Sequence, residues 1–132
     1  MENFKAYLKG DKFASSNGIT LADCRPGYAK AQVTIEQRHL NGAGVVHGGL
    51  LFTLADFCFA AAVNSYGMVS LSINASISYF AKSSQGIITA EATEISRDNK
   101  LASYDINVFD EERKLLANLK GMAYITKKSI VL

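Results

Sequence analysis

The chain has 132 residues, with 14 basic and 12 acidic side chains and a formal net charge of +2 at pH 7. This length predicts one domain, residues 1–132, that buries a sizeable core without a disulfide or metal staple. So weak a charge, without a dense Lys/Arg run, excludes the electrostatic footprint of a nucleic-acid-binding protein. The two cysteines, Cys24 and Cys58, are expected to be free thiols in a reducing compartment.

The first residues, MENFKAYLKGDKF, mix charged with apolar side chains and have the spacing of a short amphipathic helix at 2–9. They contain no apolar core, so we expect no signal peptide. The longest apolar run, Gly48 to Val63, is interrupted by Thr53 and Asp56 and is too short to span a membrane. We therefore expect a cytoplasmic protein that does not enter a membrane.

Two strands and a loop are predicted before the apolar run. Ile19 to Cys24 is a candidate first strand, and Gly27 to Ile35 alternates apolar with polar side chains, as a half-buried strand does. A glycine-rich loop follows from Leu40 to Val46. Gly48 to Ser65 then has the length and composition of a helix, and its apolar character on nearly all sides predicts burial.

Four further segments alternate with a period of two, around 70–79, 88–93, 104–108 and 117–126, and predict four more strands. The connectors KSSQG, SRDNK and DEERK are short and polar, as antiparallel hairpins require. The first segment has its apolar side chains at every second position (Leu71, Ile73, Ala75, Ile77 and Tyr79). Six strands and one buried helix predict an α+β fold in which a curved antiparallel sheet wraps around the helix.

The chemistry is expected where a His-Gly-Gly turn enters this helix. Gly48 and Gly49 leave the first N–H groups of the helix open to a carbonyl oxygen, and an oxyanion formed there would be stabilised. The alternative is that the glycines only allow tight packing and that His47 caps the helix. Asp56 is a lone carboxylate in an apolar run, where its pKa should rise. It is either a base or nucleophile, or a structural residue bonded to backbone donors of a neighbouring strand.

The spacing of these two groups predicts a shared site. Eight residues of helix rise about 12 Å, so Gly48 and Asp56 of one chain cannot easily hold the same carbonyl group. Two antiparallel helices side by side bring the N-terminus of one to the middle of the other. If both groups serve one reaction, the protein is a homodimer with two equivalent sites.

The segment Asn41 to Gly67, followed by alternating strands, resembles the hotdog-fold acyl-CoA thioesterases, and most of all the phenylacetate-pathway group of the 4-hydroxybenzoyl-CoA thioesterase superfamily. The pattern of that group is N-x-x-G-x-x-H-G-G-x-x-x-x-L-x-D-x-x-x-x-x-A. It is matched at Asn41, Gly44, His47, Gly48, Gly49, Leu54, Asp56 and Ala62, and the resemblance covers roughly residues 17–126. The resemblance implies a hotdog fold, with six strands around one long central helix.

The resemblance also implies hydrolysis of acyl-CoA or aryl-CoA thioesters by a homodimer, often assembled as a homotetramer, without a metal or redox cofactor. Gly48 would donate its N–H to the thioester carbonyl, and Asp56 of the facing subunit would activate water or attack the carbonyl. Asn41 would hold the water or the carbonyl, and His47 would orient the loop. In a related branch a Ser or Thr after the helix assists the water, and Ser72 aligns with that position.

Candidate substrate-binding residues surround this motif. Gly49 lies at the helix start, and Phe52 is a candidate wall of an acyl or aryl tunnel, with core packing as the alternative. Lys82, Arg97 and Lys100 are candidates for the CoA phosphates, with solvated turn residues as the alternative. Where relatives often have Arg-Pro after the first post-helix strand, this chain has Ala-Lys at 81–82, close to where the CoA or acyl group passes.

Two other functions remain open. A non-catalytic acyl-CoA-binding or scaffold protein with the same fold predicts saturable ligand binding without thiol release. A hotdog dehydratase would need a paired His and Asp near the thioester, for which His47 in a helix-entry turn is a poor base. Metal binding has little support, because His39 and His47 are the only histidines and no Cys or carboxylate lies at ligand spacing. The G-x-S-x-G elbow of serine hydrolases is absent from the sequence.

Overall fold

The computed structural model describes residues 2–130, and its centre is one long helix enclosed by a six-stranded antiparallel sheet. The elements in chain order are α1 (Glu2–Lys9), α2 (Lys12–Ser16), β1 (Thr20–Arg25), β2 (Tyr28–Thr34), a 3-10 turn (Gln37–His39), α3 (Gly48–Asn64), β3 (Met68–Tyr79), β4 (Ile87–Arg97), β5 (Leu101–Phe109) and β6 (Leu115–Ser129). The strands are ordered β1-β2-β4-β5-β6-β3, so β1 and β3 form the two edges. The predicted hotdog fold is confirmed.

Helix α3 is buried against the sheet and contacts all six strands. Its sequence contains no proline and no glycine after position 49, and Leu, Phe and Ala dominate, so helix formation and burial favour the same residues. One stripe of residues stays at least partly exposed, at positions 49, 52, 53, 56 and 60. This spacing of three and four marks one helix face. The predicted burial on nearly all sides therefore misses a narrow open face, and Asp56 lies on it.

A glycine on β6 sets how closely α3 approaches the sheet. A Cβ atom on Gly121 would lie 2.8 Å from Cε2 of Phe59, which is closer than packed carbons come. Phe59 is fully buried, and its ring centroid lies 5.6 Å from that of Tyr104 on β5. The ring of Phe59 thus occupies the space that any larger residue at position 121 would need.

The predicted alternation is confirmed in β2, β4, β5 and β6, where every second side chain faces α3. Many of these inward residues are alanines, which lets the sheet lie close to the helix: Ala29, Ala31, Ala90, Ala92, Ala102, Ala117 and Ala123 are all buried. The strands after α3 run further than the alternating segments predicted. Strand β4 extends to Arg97, and β6 extends to Ser129.

Strand β3 departs from the prediction because it contains a β-bulge at Ile73. Ser72 and Asn74 pair with two consecutive residues of β6, which leaves Ile73 as the extra residue. A bulge moves the following side chains to the opposite face. Before the bulge, Ser72 shares the helix side of the sheet with the buried Ala123, and Leu71 lies on the outer face. After the bulge, Ala75 pairs with Gly121 on the helix side. The prediction of one unbroken apolar face along this strand is wrong.

The N-terminal segment forms two short helices beside α3. The predicted helix at 2–9 is confirmed as α1. Helix α2 was not predicted, and Asp11 caps it by accepting a hydrogen bond from Ala14 N at 3.0 Å. Among the helices of residues 2–130, none combines the length and the apolar character that crossing a bilayer requires.

Candidate active site

The loop before α3 is closed by the side chain of Asn41. Its Oδ1 accepts hydrogen bonds from Ala43 N at 2.9 Å and Val45 N at 3.3 Å, and its backbone N–H donates to Val45 O at 2.8 Å. Gly44 completes the turn with a φ of +75°, a conformation that glycine adopts without strain. The side-chain oxygen of Asn41, Oδ1, therefore bonds within the loop. The side-chain NH₂ group is left to bind a ligand.

The start of α3 offers one free N–H group. His47 caps the helix, because its Nδ1 accepts from Gly49 N at 2.7 Å. The carbonyl oxygen of His47 accepts from Leu50 N at 2.9 Å and Leu51 N at 3.3 Å. Among the described residues, no acceptor bonds to Gly48 N–H. A single unpaired donor thus remains at the positive end of the helix dipole. The two alternatives from the sequence therefore occur together: His47 caps the helix, and the Gly48 N–H is still open.

Gly48 lines a cavity of about 480 Å³ between α3 and the end of β3. Tyr79 lies in the same cavity, and its hydroxyl donates to Gly48 O at 3.1 Å. Lys82 also lines this cavity. Of the three basic residues predicted to meet CoA phosphates, Lys82 is the one that the single chain places beside Gly48.

Asp56 opens into a different cavity, of about 540 Å³, between α3, the N-terminal helices and β3. Burial raises the pKa of the Asp56 carboxyl, and the negative charge of Asp11 in the same cavity raises it further. Within residues 2–130 no donor bonds to this carboxylate, so the alternative of an Asp held by backbone donors finds no such bond there. A partly desolvated carboxylate with a raised pKa suits a general base near neutral pH.

Ser72 lines the same cavity as Asp56, on the helix side of β3. Pairing with the inward-facing Ala123 of β6 gives Ser72 this orientation. Phe52 is half-buried on the open face of α3, between Gly49 and Asp56.

Arg97 and Lys100 lie at the opposite end of α3 from Gly48. The Arg97 guanidinium carbon is 3.7 Å from the ring centroid of Tyr66, which follows the C-terminus of α3. Lys100 lies in the β4–β5 turn, where its backbone N–H donates to Asp98 Oδ1 at 2.8 Å. A helix of 17 residues spans about 25 Å. A single chain therefore does not bring Arg97 or Lys100 to the helix start.

The two cysteines are poor nucleophiles. Burial raises the pKa of Cys58 to about 12, and its Sγ lies within hydrogen-bonding distance of Ala29 O and Ala90 O, at 3.3 and 3.4 Å. The pKa of Cys24 is also raised, by burial and by the charge of Asp23. Among the side chains of the described range, no three His, Cys, Asp or Glu residues come together as a metal-binding group.

Two residues of these cavities were missed by sequence reasoning. Tyr79 reads as the last apolar residue of a strand, and nothing in the pattern shows that this strand ends beside the start of α3. Asp11 reads as one charge in a mixed N-terminal segment. In the Asp-Lys-Phe-Ala sequence at 11–14, Asp11 is a residue type that often caps a helix N-terminus. This weak signal could have predicted the start of α2.

Comparison with known proteins identifies the family of this chain. The family model of the thioesterase superfamily matches residues 43–117, more than half of the chain. A relative from Archaeoglobus fulgidus is 39% identical over 126 residues, covering 94% of this chain and 82% of its own length. Acyl-coenzyme A thioesterase PaaI of Escherichia coli is 30% identical over 93% of this chain and 89% of its own length.

The fold is also that of a solved relative. The structure of the Escherichia coli PaaI protein from the phenylacetic acid degradation operon superposes with a TM-score of 0.92 and 29% identity, covering 97% of this chain and 94% of that chain. Sequence and fold thus agree on one family. The chain belongs to the thioesterase superfamily, as a PaaI-like member with the hotdog fold.

Proposed function

We propose that this protein hydrolyses acyl-CoA or aryl-CoA thioesters to the free acid and CoA, in sites shared between two copies of the chain. The observation that carries the proposal is the separation of two unsatisfied groups. The free Gly48 N–H and the unbonded Asp56 carboxylate lie in different cavities of one chain. The substrate class is supported by the name of the Escherichia coli relative, an acyl-coenzyme A thioesterase.

Strand β3 supports a homodimer. It is a sheet edge of 12 residues without a single charged side chain, and Leu71 and Ile73 are 55% and 56% exposed. Natural proteins usually protect an exposed edge of this length with charges, proline or a covering element. We infer that β3 pairs with β3 of a second copy about a two-fold axis, which makes one continuous sheet.

Such a dimer also pairs the open faces of the two α3 helices. Phe52 lies midway between Gly48 and Asp56 along the helix. A two-fold axis beside Phe52 therefore places Gly48 of one chain opposite Asp56 of the other, and Asp56 opposite Gly48, in two equivalent sites. The stripe of residues that α3 leaves uncovered is the stripe that this packing needs.

The reaction then proceeds with water as the nucleophile. The thioester carbonyl oxygen accepts a hydrogen bond from Gly48 N–H. Asp56 of the other chain removes a proton from a water molecule as the oxygen of that water attacks the carbonyl carbon. The tetrahedral oxyanion is stabilised by the same N–H and by the helix dipole. When the intermediate collapses, the C–S bond breaks, the acid is released, and the proton on Asp56 passes to the CoA thiolate. Direct attack by Asp56 to form an anhydride, followed by hydrolysis, is the alternative route.

The remaining predicted residues take supporting roles in this proposal. Ser72, in the Asp56 cavity, orients the attacking water, and the Asn41 NH₂ group binds the water or the carbonyl. Lys82 binds a CoA phosphate beside Gly48. Arg97 and Lys100 contact CoA only from the partner subunit or at the far end of the CoA molecule.

The chain works as one domain, residues 1–132, without a metal or redox cofactor. The outer apolar residues of the sheet join two dimers into a tetramer.

The test is a thiol-release assay over a panel of straight-chain and aromatic acyl-CoAs. Wild type should release thiol from at least one class, and Asp56→Asn should lose about 10²- to 10⁴-fold in kcat, the contribution of a general base. Asp98→Asn is the matched control, because Asp98 is an exposed turn residue whose loss changes the net charge equally. Saturable binding by wild type without thiol release would instead identify a non-catalytic binding protein.

A further inference from the structure

The peptide group that joins Gly48 to Gly49 is held at both ends by side chains. Its carbonyl oxygen, Gly48 O, accepts from the Tyr79 hydroxyl at 3.1 Å. Its N–H, on Gly49, donates to His47 Nδ1 at 2.7 Å. Tyr79 comes from the end of β3 and His47 from the entry loop, so the two side chains hold one peptide plane from different parts of the fold.

We propose that Tyr79 is a positioning residue for the reaction: with His47 it forms a clamp that holds the Gly48-Gly49 peptide group, and so restrains the backbone dihedrals of Gly48 that set the direction of its own N–H in the preceding peptide group. The proposal rests on the proposed role of that N–H as the oxyanion donor. Two adjacent glycines have more backbone freedom than any other pair, so an unrestrained Gly48-Gly49 start would let the donor swing. Donors that are fixed before the reaction stabilise a developing charge without reorganising.

The position of Tyr79 is itself well fixed. Its backbone pairs with the buried Ala117 on β6, which anchors the side chain to the sheet. The ring lies along the open side of Gly48, where a Cβ atom would be 3.2 Å from Cζ and 3.3 Å from the hydroxyl oxygen. Although Tyr79 is 50% exposed in the single chain, its ring and its hydroxyl both contact the helix start. Tyr79 therefore links the helix start to the strand that carries Ser72.

The test compares Tyr79→Phe with Tyr124→Phe. Both tyrosines lie on strands and are similarly exposed, at 50% and 45%, but Tyr124 is on the outer face, away from α3. Loss of one hydrogen bond predicts that Tyr79→Phe lowers kcat about two- to tenfold, with KM for the thioester little changed. Amide hydrogen exchange at Gly49 should become faster by a similar factor. Tyr124→Phe should change neither quantity.

The two measurements separate the clamp from the chemistry. Unchanged exchange at Gly49 in Tyr79→Phe would overturn the clamp. Faster exchange with unchanged kcat, or a change confined to KM, would overturn its role in positioning the oxyanion donor. If wild type released no thiol from any acyl-CoA, the proposed function would fail, and the exchange measurement would still decide whether Tyr79 restrains the Gly48-Gly49 peptide.

Discussion

Replacing Gly48 by proline removes the proposed oxyanion donor and little else. Gly48 is the first residue of α3, a position where proline is favoured because its missing N–H has no partner within the helix. The preceding residue, His47, has φ −62° and ψ 135°, which is the conformation that a residue before proline prefers. The substitution therefore deletes the free N–H of Gly48 without breaking a hydrogen bond of the described chain.

The expected loss follows from the number of free donors. Because one N–H is available at the helix start, its removal should lower kcat by about 10²- to 10³-fold, or about 2.7–4 kcal/mol of transition-state stabilisation. Stability should change little. Proline restricts the unfolded chain, which stabilises by about 0.4–1 kcal/mol. This gain is offset by the contact that a Cβ atom makes with the Tyr79 ring at 3.2 Å.

Gly48→Ala is the matched control, because it makes the same Cβ contact with Tyr79 but keeps the N–H. Both variants should be compared with wild type by steady-state thiol release and by thermal unfolding. Gly48→Pro should be folded and nearly inactive. Gly48→Ala should be folded and should retain most of the wild-type kcat. Equal kcat values for the two folded variants would refute the assignment of Gly48 N–H as the oxyanion donor.

Three further predictions concern charge and packing. The pKa of Asp56 is raised in the folded state, so its ionisation lowers the free energy of unfolding as pH rises through the folded-state value. Asp56→Asn should therefore be more stable than wild type in urea unfolding at neutral pH. This difference should vanish below pH 3.8, the ordinary pKa of the group. Burial is the main cause of the raised pKa of Asp56, and the charge of Asp11 adds to it. Asp11→Asn removes that added part, so the acidic limb of the kcat/KM profile should move to lower pH, and an unmoved limb would contradict this coupling. Gly121→Ala should destabilise by about 1–3 kcal/mol because its Cβ meets the buried Phe59 ring. Phe59→Leu in the same chain should recover part of that loss, and strictly additive unfolding energies would argue against the contact.

Most of the fold was readable because the hydrophobic period reports local geometry directly. A period of two in five segments and an apolar run of helical length leave few ways to bury both, and the wrapped sheet follows. The bulge at Ile73 was not readable, because Leu71 and Ile73 continue the alternation in sequence. Which face each residue takes is decided by its pairing with β6, far along the chain.

The sequence predicted which residue types carry the chemistry of the candidate site. It did not predict which distant residues contact them. Asp56 stands out because a lone carboxylate in an apolar run is costly, and the turn before α3 stands out by its glycines. The contact between Tyr79 and Gly48 joins residues 31 positions apart, so no local pattern contains it. The same limit applies to Arg97 and Lys100. Their residue type suits phosphate, but only the strand order shows that they lie at the far end of α3 from Gly48.

Mixing two inactive variants tests the shared site most directly. Asp56→Asn chains keep a normal Gly48, and Gly48→Pro chains keep a normal Asp56, so a mixed dimer contains one intact site and one site with both defects. Co-expression with two different tags, separation of the proposed tetramers into dimers, and purification of the dimers on both tags isolate this mixed dimer. A site shared by two chains predicts about half of the wild-type kcat for the purified mixed dimer, because one of its two sites is restored. Activity no higher than that of the parent variants, in mixed dimers shown to contain both tags, would mean that Gly48 and Asp56 do not act together across the dimer.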